Sequence, residues 1–219
     1  MDEEIKLKPH EIEQKSMEII TKELGERTFQ EPEFSVVKRC IHTSADFDYA
    51  DNLKFSTDSV RLGIEAIKRG AHIVTDTNMA AAGINKRVLS SYGGEVHCYM
   101  AELDVAKEAK ERGVTRSIVC MERGAQLTGE VIFAIGNAPT ALIRICELVK
   151  EGKVKPALII GAPVGFVNVL ESKELLLSMK DVPYIVAGGR KGGSNIAAAI
   201  CNAMIYEAKK ETEKEEREE

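Results

Sequence analysis

The segment RCIHTSADFDYA, residues 39–50, follows Arg39 with His42 and then with two carboxylates, Asp46 and Asp48. His42 is one of four histidines in the chain, and an imidazole with an ordinary pKa of about 6.5 can donate and accept protons near neutral pH. Three roles stay open: a catalytic proton carrier, a metal ligand, or a packed residue at a helix end. No histidine has a partner at the sequence spacing of a metal site, so we expect no metal.

Three glycine-rich turns could hold an anion. They are AIGNAPTAL (134–142), IIGAPVGFVN (159–168) and VAGGRKGGSN (186–195), and each follows a strand-like run and precedes a helical pattern. Free backbone N–H groups and the positive end of the helix dipole suit an anionic group there. None fits the spacing of a dinucleotide-binding or P-loop motif. Tight turns need glycine regardless of function, so a structural role stays open for each loop, although three at one sheet edge favour a ligand with several anionic groups.

A hydroxyl interrupts the apolar stripe of the first predicted helix, which starts at Pro9. Ser16 lies near the same face as Ile12, Ile19 and Leu24. Its hydroxyl can bond a carbonyl of the preceding turn, or it can face a ligand. The residue types alone favour the first alternative.

The rest of the chain alternates between strand and helix patterns. A second helix over residues 31–41 places His42 at its end, and a third ends at Gly70. Apolar runs rich in Ile and Val, each followed by a helical pattern, are AHIVT, EVHCYM, EVIFAIG, PALIIGAP and PYIVAGG. This alternation predicts an α/β fold with three α/β/α layers and a largely parallel central sheet. We expect one domain over residues 1–208 and a charged, disordered or frayed tail over residues 209–219.

Composition excludes several classes of function. The net charge of -5 and an aromatic content of 5% argue against a nucleic-acid partner. The five cysteines are dispersed, which is typical of a reducing compartment. We see no signal sequence and no apolar run of about 18 residues, so we expect a cytoplasmic protein without a membrane partner.

Several segments together resemble one family. In order they are IEQKSMEII, RCIHTS, TDTNMAAAGI, TRS, AIGNAPTAL, GAPVGFVNVLESK and GRKGGSN, and they extend from about residue 10 to residue 208. The chain is identified by these segments as similar to the precorrin-8X methylmutases, also called cobalt-precorrin-8 methylmutases, of corrin biosynthesis. The resemblance implies an isomerase that moves a methyl group from C11 to C12 of a tetrapyrrole, which gives hydrogenobyrinate or cobyrinate, without a cofactor.

The resemblance also implies roles for individual residues. His42 corresponds to the proton donor of a 1,5-sigmatropic shift, and Ser16 and Arg39 correspond to residues at the substrate. Further substrate-binding candidates carried by the matching segments are Arg116, Asn137, Arg190 and Gly193. Arg116 could equally form a structural ion pair. The family acts as a homodimer with the pocket near the subunit interface. A corrinoid carrier without turnover is the alternative function.

Overall fold

A computed structural model describes residues 8–27 and 29–218 of the chain, and in those residues six strands form one sheet. The strands are Leu53–Phe55 (β1), His72–Thr75 (β2), Val96–His97 (β3), Val131–Ile135 (β4), Leu158–Gly161 (β5) and Tyr184–Ala187 (β6). Their order is β1-β6-β5-β4-β2-β3, in which β1 is antiparallel to β6 and all other neighbours are parallel. The chain moves outward from β2 to β3 and then continues on the other side of β2 with β4. The switch in strand order therefore falls between β2 and β4.

Helices connect and cover these strands. Within the described ranges they are Pro9–Leu24 (α1), Glu33–Ser44 (α2), Tyr49–Asn52 (α3), Ser59–Lys68 (α4), Asn78–Gly83 (α5), Lys86–Ser91 (α6), Leu103–Arg112 (α7), Arg116–Gly124 (α8), Pro139–Lys150 (α9), Val169–Leu177 (α10) and Ser194–Glu218 (α11). Across these same residues, none of the helices combines the length and apolar character that crossing a membrane requires.

Both faces of the sheet are buried, as alternate residues of β4 show. Ile132 and Ala134 pack in a core with α2, α4 and α11, whereas Phe133 and Ile135 pack in a second core with α8, α9 and α10. All four side chains are fully buried. Since successive strand residues point to opposite faces, a sheet covered on both sides needs apolar residues at every position. This arrangement confirms the predicted three-layer fold with a largely parallel sheet.

Two elements differ from the prediction. The edge strand β1 has only three residues, which is too short for a period-two pattern to stand out. The helical pattern GFVNVLESKELLLSM predicts a helix from Gly165, but α10 starts at Val169, because Gly165 (φ +135°) and Asn168 (φ +57°) adopt backbone angles outside the helical range. The intervening Phe166 and Val167 are 83% and 78% exposed.

The charged segment 209–218, for which the composition predicts a disordered or frayed tail, is helical in the structure. It continues α11 to Glu218. Lys68 of α4 pairs with Glu211 (2.8 Å) and Glu215 (3.3 Å), and the Tyr92 hydroxyl lies 3.1 Å from the Thr212 hydroxyl. Lys and Glu are good helix formers, and these contacts fix one side of the helix to the domain. The terminal Glu219 lies outside the described residues.

Candidate active site

His42 and Ser16 line one cavity between α1 and α2, which we call the His42 cavity. Its volume is about 220 Å³, and its lining residues are Ser16, Ile19, Ile20, Glu23, Ile41, His42, Ala45 and Phe47. His42 lies in the last turn of α2, whose other side packs against α11, so the imidazole is exposed. In the part of the chain that the structure describes, this ring forms no hydrogen bond or ion pair. An unpartnered imidazole beside a mostly apolar cavity is available to a ligand.

Ser16 forms the bond within its own helix that the residue types favour, and its role toward a ligand stays a prediction. Its hydroxyl donates to the carbonyl oxygen of Ile12 at 2.8 Å, which is a bond within its own helix. The side chain nevertheless lines the His42 cavity. A hydroxyl oxygen that donates its proton keeps two lone pairs, so Ser16 can still accept a hydrogen bond from a ligand.

Arg39 lies one helical turn before His42 and faces a neighbouring depression of about 170 Å³. Its guanidinium Nη1 lies 2.6 Å from Glu13 Oε1, and its Cζ lies 4.9 Å from the centre of the Tyr206 ring. Arg39, which we expect at the substrate, therefore already holds a carboxylate of the chain. A substrate carboxylate would have to share the guanidinium with Glu13 or displace it.

The two aspartates after His42 pair with a lysine of another loop. Lys191 Nζ lies 2.6 Å from Asp46 Oδ2 and 2.5 Å from Asp48 Oδ2. The hydrogen bond from Lys191 lowers the pKa of Asp46, and the two carboxylates raise the pKa of Lys191. Asp46 also accepts a hydrogen bond from the backbone N–H of Asp48 at 3.0 Å. These carboxylates thus join the loop after α2 to the loop after β6, and do not contact the imidazole of His42.

A buried lysine of α10 also holds the loop after β6. Lys173 of α10 is only 2% exposed, and its Nζ donates to the carbonyl oxygens of Gly189 and Lys191, each at 2.8 Å. Burial lowers the pKa of Lys173 to about 8, because the charged form loses its hydration. Lys173 is not among the site residues predicted from the sequence, although the segment GFVNVLESK, which resembles the family, ends in this lysine.

The turn at residues 134–142 does not offer the free N–H groups that we expect from the sequence. Asp76, which directly follows β2, accepts hydrogen bonds from the backbone N–H groups of Gly136 (2.8 Å), Asn137 (2.8 Å) and Ala138 (2.5 Å). Burial raises the pKa of the Asp76 carboxyl, and the three N–H donors oppose that rise. The carboxylate thus fills the anion cradle between β2 and β4. Its position just after the strand run AHIVT could have indicated this role.

The other predicted binding residues lie in loops and at a helix start. Arg116 begins α8, is exposed, and donates to the Met100 carbonyl at 3.4 Å. Among the described residues it has no ion-pair partner, so the structural ion pair left open by the sequence does not form. Arg190 is exposed, with its Cζ 5.8 Å from the Phe166 ring centre. Gly193 has φ +133°, a backbone angle that few other residues adopt.

The structure brings some of the predicted site residues together and leaves others apart. Ser16 and His42 share a cavity, Arg39 faces the next depression, and the pairing of Lys191 links their region to the loop of Arg190 and Gly193. In the described ranges, no hydrogen bond or ion pair connects Arg116 or the side chain of Asn137 to this group.

A larger cavity lies elsewhere. It measures about 610 Å³ and is formed where strands β4 to β6 begin, with Glu130, Ala157 and Val182 among its lining residues. Ligands of open α/β sheets bind at the carboxyl ends of the strands, and this cavity is at the opposite ends. It contains none of the predicted site residues.

Comparison with known proteins gives one consistent result. The sequence model of the precorrin-8X methylmutases matches residues 11–207. The chain is 44% identical over 198 residues to the cobalt-precorrin-8 methylmutase of Priestia megaterium, covering 90% of this chain and 88% of that protein. It is 41% identical over 206 residues to the cobalt-precorrin-8 methylmutase of Methanocaldococcus jannaschii, covering 91% and 94%. Its fold is similar to that of a precorrin-8X methylmutase from Thermus thermophilus, with a TM-score of 0.84, 38% identity, and coverage of 91% and 98%.

Proposed function

Because this chain belongs to the precorrin-8X methylmutase family and is an isomerase of cobalamin biosynthesis, we propose that His42 is the proton donor of its methyl shift. The observation that carries this proposal is the exposed, unpartnered imidazole of His42 in the same cavity as Ser16. The substrate is precorrin-8 or its cobalt form, in which the methyl group moves from C11 to C12.

The chemistry needs few protein groups. A sigmatropic shift within one molecule needs neither a nucleophile nor an electron sink, only a substrate held in the reactive tautomer and a proton at the right ring position. Since substrate and product are isomers, the proton taken up must be matched by one released, so His42 is restored in each cycle. One general acid contributes about 10² to 10⁴ in rate, and orientation of the bound ring supplies further acceleration.

Basic side chains of the segments that resemble the family suit the carboxylate arms of the macrocycle. Arg39 is the nearest candidate along the chain, because it lies one turn from His42. Arg190 and Arg116 are exposed and have no carboxylate partner among the residues that the structure describes. Guanidinium groups bind carboxylates in a two-pronged geometry. Asn137 and Gly193, which are loop residues, complete the proposed set.

The size of the His42 cavity supports a homodimer with the pocket near the subunit interface. Pockets for drug-sized ligands measure about 300–1,000 Å³, whereas this cavity measures about 220 Å³. A tetrapyrrole with its acid arms is larger than a cavity of about 220 Å³, so the His42 cavity of one chain does not enclose it. A second chain placed over the cavity would supply the missing wall. We place the enzyme in the cytoplasm, consistent with five cysteines that form no disulfide.

A turnover measurement separates the enzyme from a corrinoid carrier. The purified protein is mixed with precorrin-8 in large molar excess while the visible spectrum is followed. Conversion that continues well past one equivalent of protein supports the isomerase. A spectral change that stops at one equivalent supports the carrier and contradicts the proposed catalytic role of His42.

A further inference from the structure

Two histidines that are far apart in the sequence meet at the edge of the sheet. His72 begins β2 and His97 ends β3, and these strands are parallel neighbours. His97 Nε2 lies 3.4 Å from His72 Nδ1. Glu95, just before β3, has its Oε2 at 3.9 Å from the same His97 nitrogen. One ligand atom from each of the three residues lies within 4.8 Å of the others.

The distance between the two imidazole nitrogens fits a shared ion better than a direct hydrogen bond. Hydrogen bonds in proteins usually span about 2.7–3.2 Å between heavy atoms, and 3.4 Å exceeds that range. Two nitrogens bound to one tetrahedral zinc ion at about 2.0–2.1 Å are separated by about 3.3–3.4 Å. The observed spacing of His72 and His97 is therefore the spacing of two zinc ligands.

The backbone shows which nitrogen of His72 is free to bind. The Glu95 N–H points to His72 Nδ1 at 3.3 Å. A nitrogen that accepts this bond carries no proton, so Nδ1 is the atom of His72 that has a lone pair to offer an ion. An ion bound to Nδ1 of His72 would use that lone pair and replace the hydrogen bond from the Glu95 N–H.

Glu95 can complete the set. Its side chain is 70% exposed, whereas that of His97 is 20% exposed. An exposed glutamate can rotate, and its carboxylate oxygen, which lies 3.9 Å from His97 Nε2, can thereby approach the separation of about 3.3–3.4 Å between ligands on one ion. Two histidines and one carboxylate leave a fourth position of a tetrahedral ion for water.

We propose that His72, Glu95 and His97 form a binding site for a zinc-like divalent ion that fastens the edge strand β3 to β2. The strand β3 has only two residues, so its backbone ladder alone gives it little support. An ion held by side chains of both strands would anchor the segment between α6 and α7. The site contains no residue of the His42 cavity, so the proposal stands independently of the methylmutase mechanism.

Zinc titration of the tag-free, chelator-treated protein tests the site. We expect calorimetry to show saturable binding of one equivalent of Zn²⁺ and a rise in the melting temperature on zinc addition. Co²⁺ in place of Zn²⁺ should give the intense visible absorption of a low-coordinate complex. His97→Ala and His72→Ala should abolish all three signals, and Glu95→Gln should weaken the affinity. His42→Ala is the matched control and should bind zinc as the wild type does.

Three results would overturn the proposal. The first is the absence of saturable zinc binding by the wild-type protein. The second is zinc binding that survives in both His97→Ala and His97→Gln, the second variant serving in case the first does not fold. The third is full affinity in Glu95→Gln, which would remove the carboxylate from the site.

Discussion

The polar groups of the His42 cavity differ from those of the loops at the carboxyl ends of the strands in whether they are paired within the chain. In the cavity, the exposed imidazole of His42 has no partner among the described residues. At the strand ends, Asp76 accepts three backbone N–H bonds, Lys173 donates to two carbonyls, and Lys191 pairs with two aspartates. One region leaves its titratable group available, whereas the other uses its charged groups to fix loops.

This difference shows where ligand chemistry can occur. The fold places its default ligand crevice at the switch in strand order, between β2 and β4. In this chain the Asp76 carboxylate occupies the N–H groups at that point, so the crevice serves as a structural joint. Lys173 and the pair of Lys191 with Asp46 hold the loop of Arg190 and Gly193 next to the region of His42, where an unpaired group is available to react.

Replacement of His42 should give the largest effect on activity. His42→Ala removes the proposed general acid, and the single-turnover rate of the methyl shift should fall by about 10² to 10⁴. Corrinoid affinity and the unfolding midpoint should stay near the wild-type values, because the exposed ring has no protein partner. Thr43→Ala, at the adjacent exposed position of α2, is the control and should retain activity. A near-normal rate in His42→Ala would contradict the assignment of His42 as the proton donor.

Replacement of Asp76 should give the opposite pattern, with a large loss of stability. Asp76→Asn replaces one of the oxygens that accept from the N–H groups of residues 136–138 with an NH₂ donor. The buried N–H groups that lose their acceptor are left unpaired. The free energy of unfolding should fall by about 2–4 kcal/mol, measured from the urea midpoint at unchanged slope. Asp104→Asn, which removes an exposed carboxylate paired with Arg123, should leave the free energy of unfolding almost unchanged. Equal effects of the two variants would contradict the structural role of Asp76.

The sequence predicts the part of the fold that depends on regular patterning. Ile- and Val-rich runs followed by helices are enough to predict a parallel sheet with two helical layers, and the structure confirms it. Patterning does not reveal β1, because three residues contain too little periodicity. The extension of α11 to Glu218 depends on contacts with Lys68, which is far away in the sequence.

The candidate site is predictable only where one segment carries it. His42, Arg39 and Ser16 come from segments that resemble the methylmutases, and their roles stay predictions. The cradle of Asp76 and the pairing of Lys191 join residues more than 50 positions apart. Such contacts arise from the strand order, which the sequence pattern does not give.

Arg39 shares a property with each of the two regions. It is paired with a carboxylate of the chain, and it is also proposed to bind the substrate. Arg39→Ala should raise the dissociation constant for the corrinoid about tenfold to hundredfold, the loss of a charge-assisted hydrogen bond. Glu13→Gln removes the competing carboxylate while leaving the guanidinium, so affinity should stay equal or increase. Corrinoid titration of both variants decides the matter. If both weaken binding equally, Arg39 acts through its pair with Glu13 and does not contact the substrate.

The buried Lys173 gives a pH dependence that exposed lysines lack. Its pKa in the folded protein is about 8, below the ordinary value of 10.5. Between these values the unfolded state binds more protons, so the unfolding free energy rises with pH. The stability of the wild type relative to Lys173→Met should therefore increase from about pH 8 to pH 10.5, as measured by urea unfolding at several pH values. The surface variant Lys107→Met is the control, since Lys107 is 77% exposed. A difference in unfolding free energy that stays constant over this pH range would contradict the lowered pKa of Lys173.

The smallest effect should come from the pair that connects the two regions. Lys191 and Asp46 have side chains that are 43% and 32% exposed, and ion pairs at such exposure contribute little to stability. A double-mutant cycle with Lys191→Met and Asp46→Asn should give a small coupling energy for unfolding, decreasing with added salt. The same cycle measured on the Michaelis constant sharpens the comparison. A larger coupling in substrate binding than in unfolding means that the pair positions the His42 region against the loop of Arg190. Equal couplings mean that the pair only adds stability, and the two regions then act separately on the substrate.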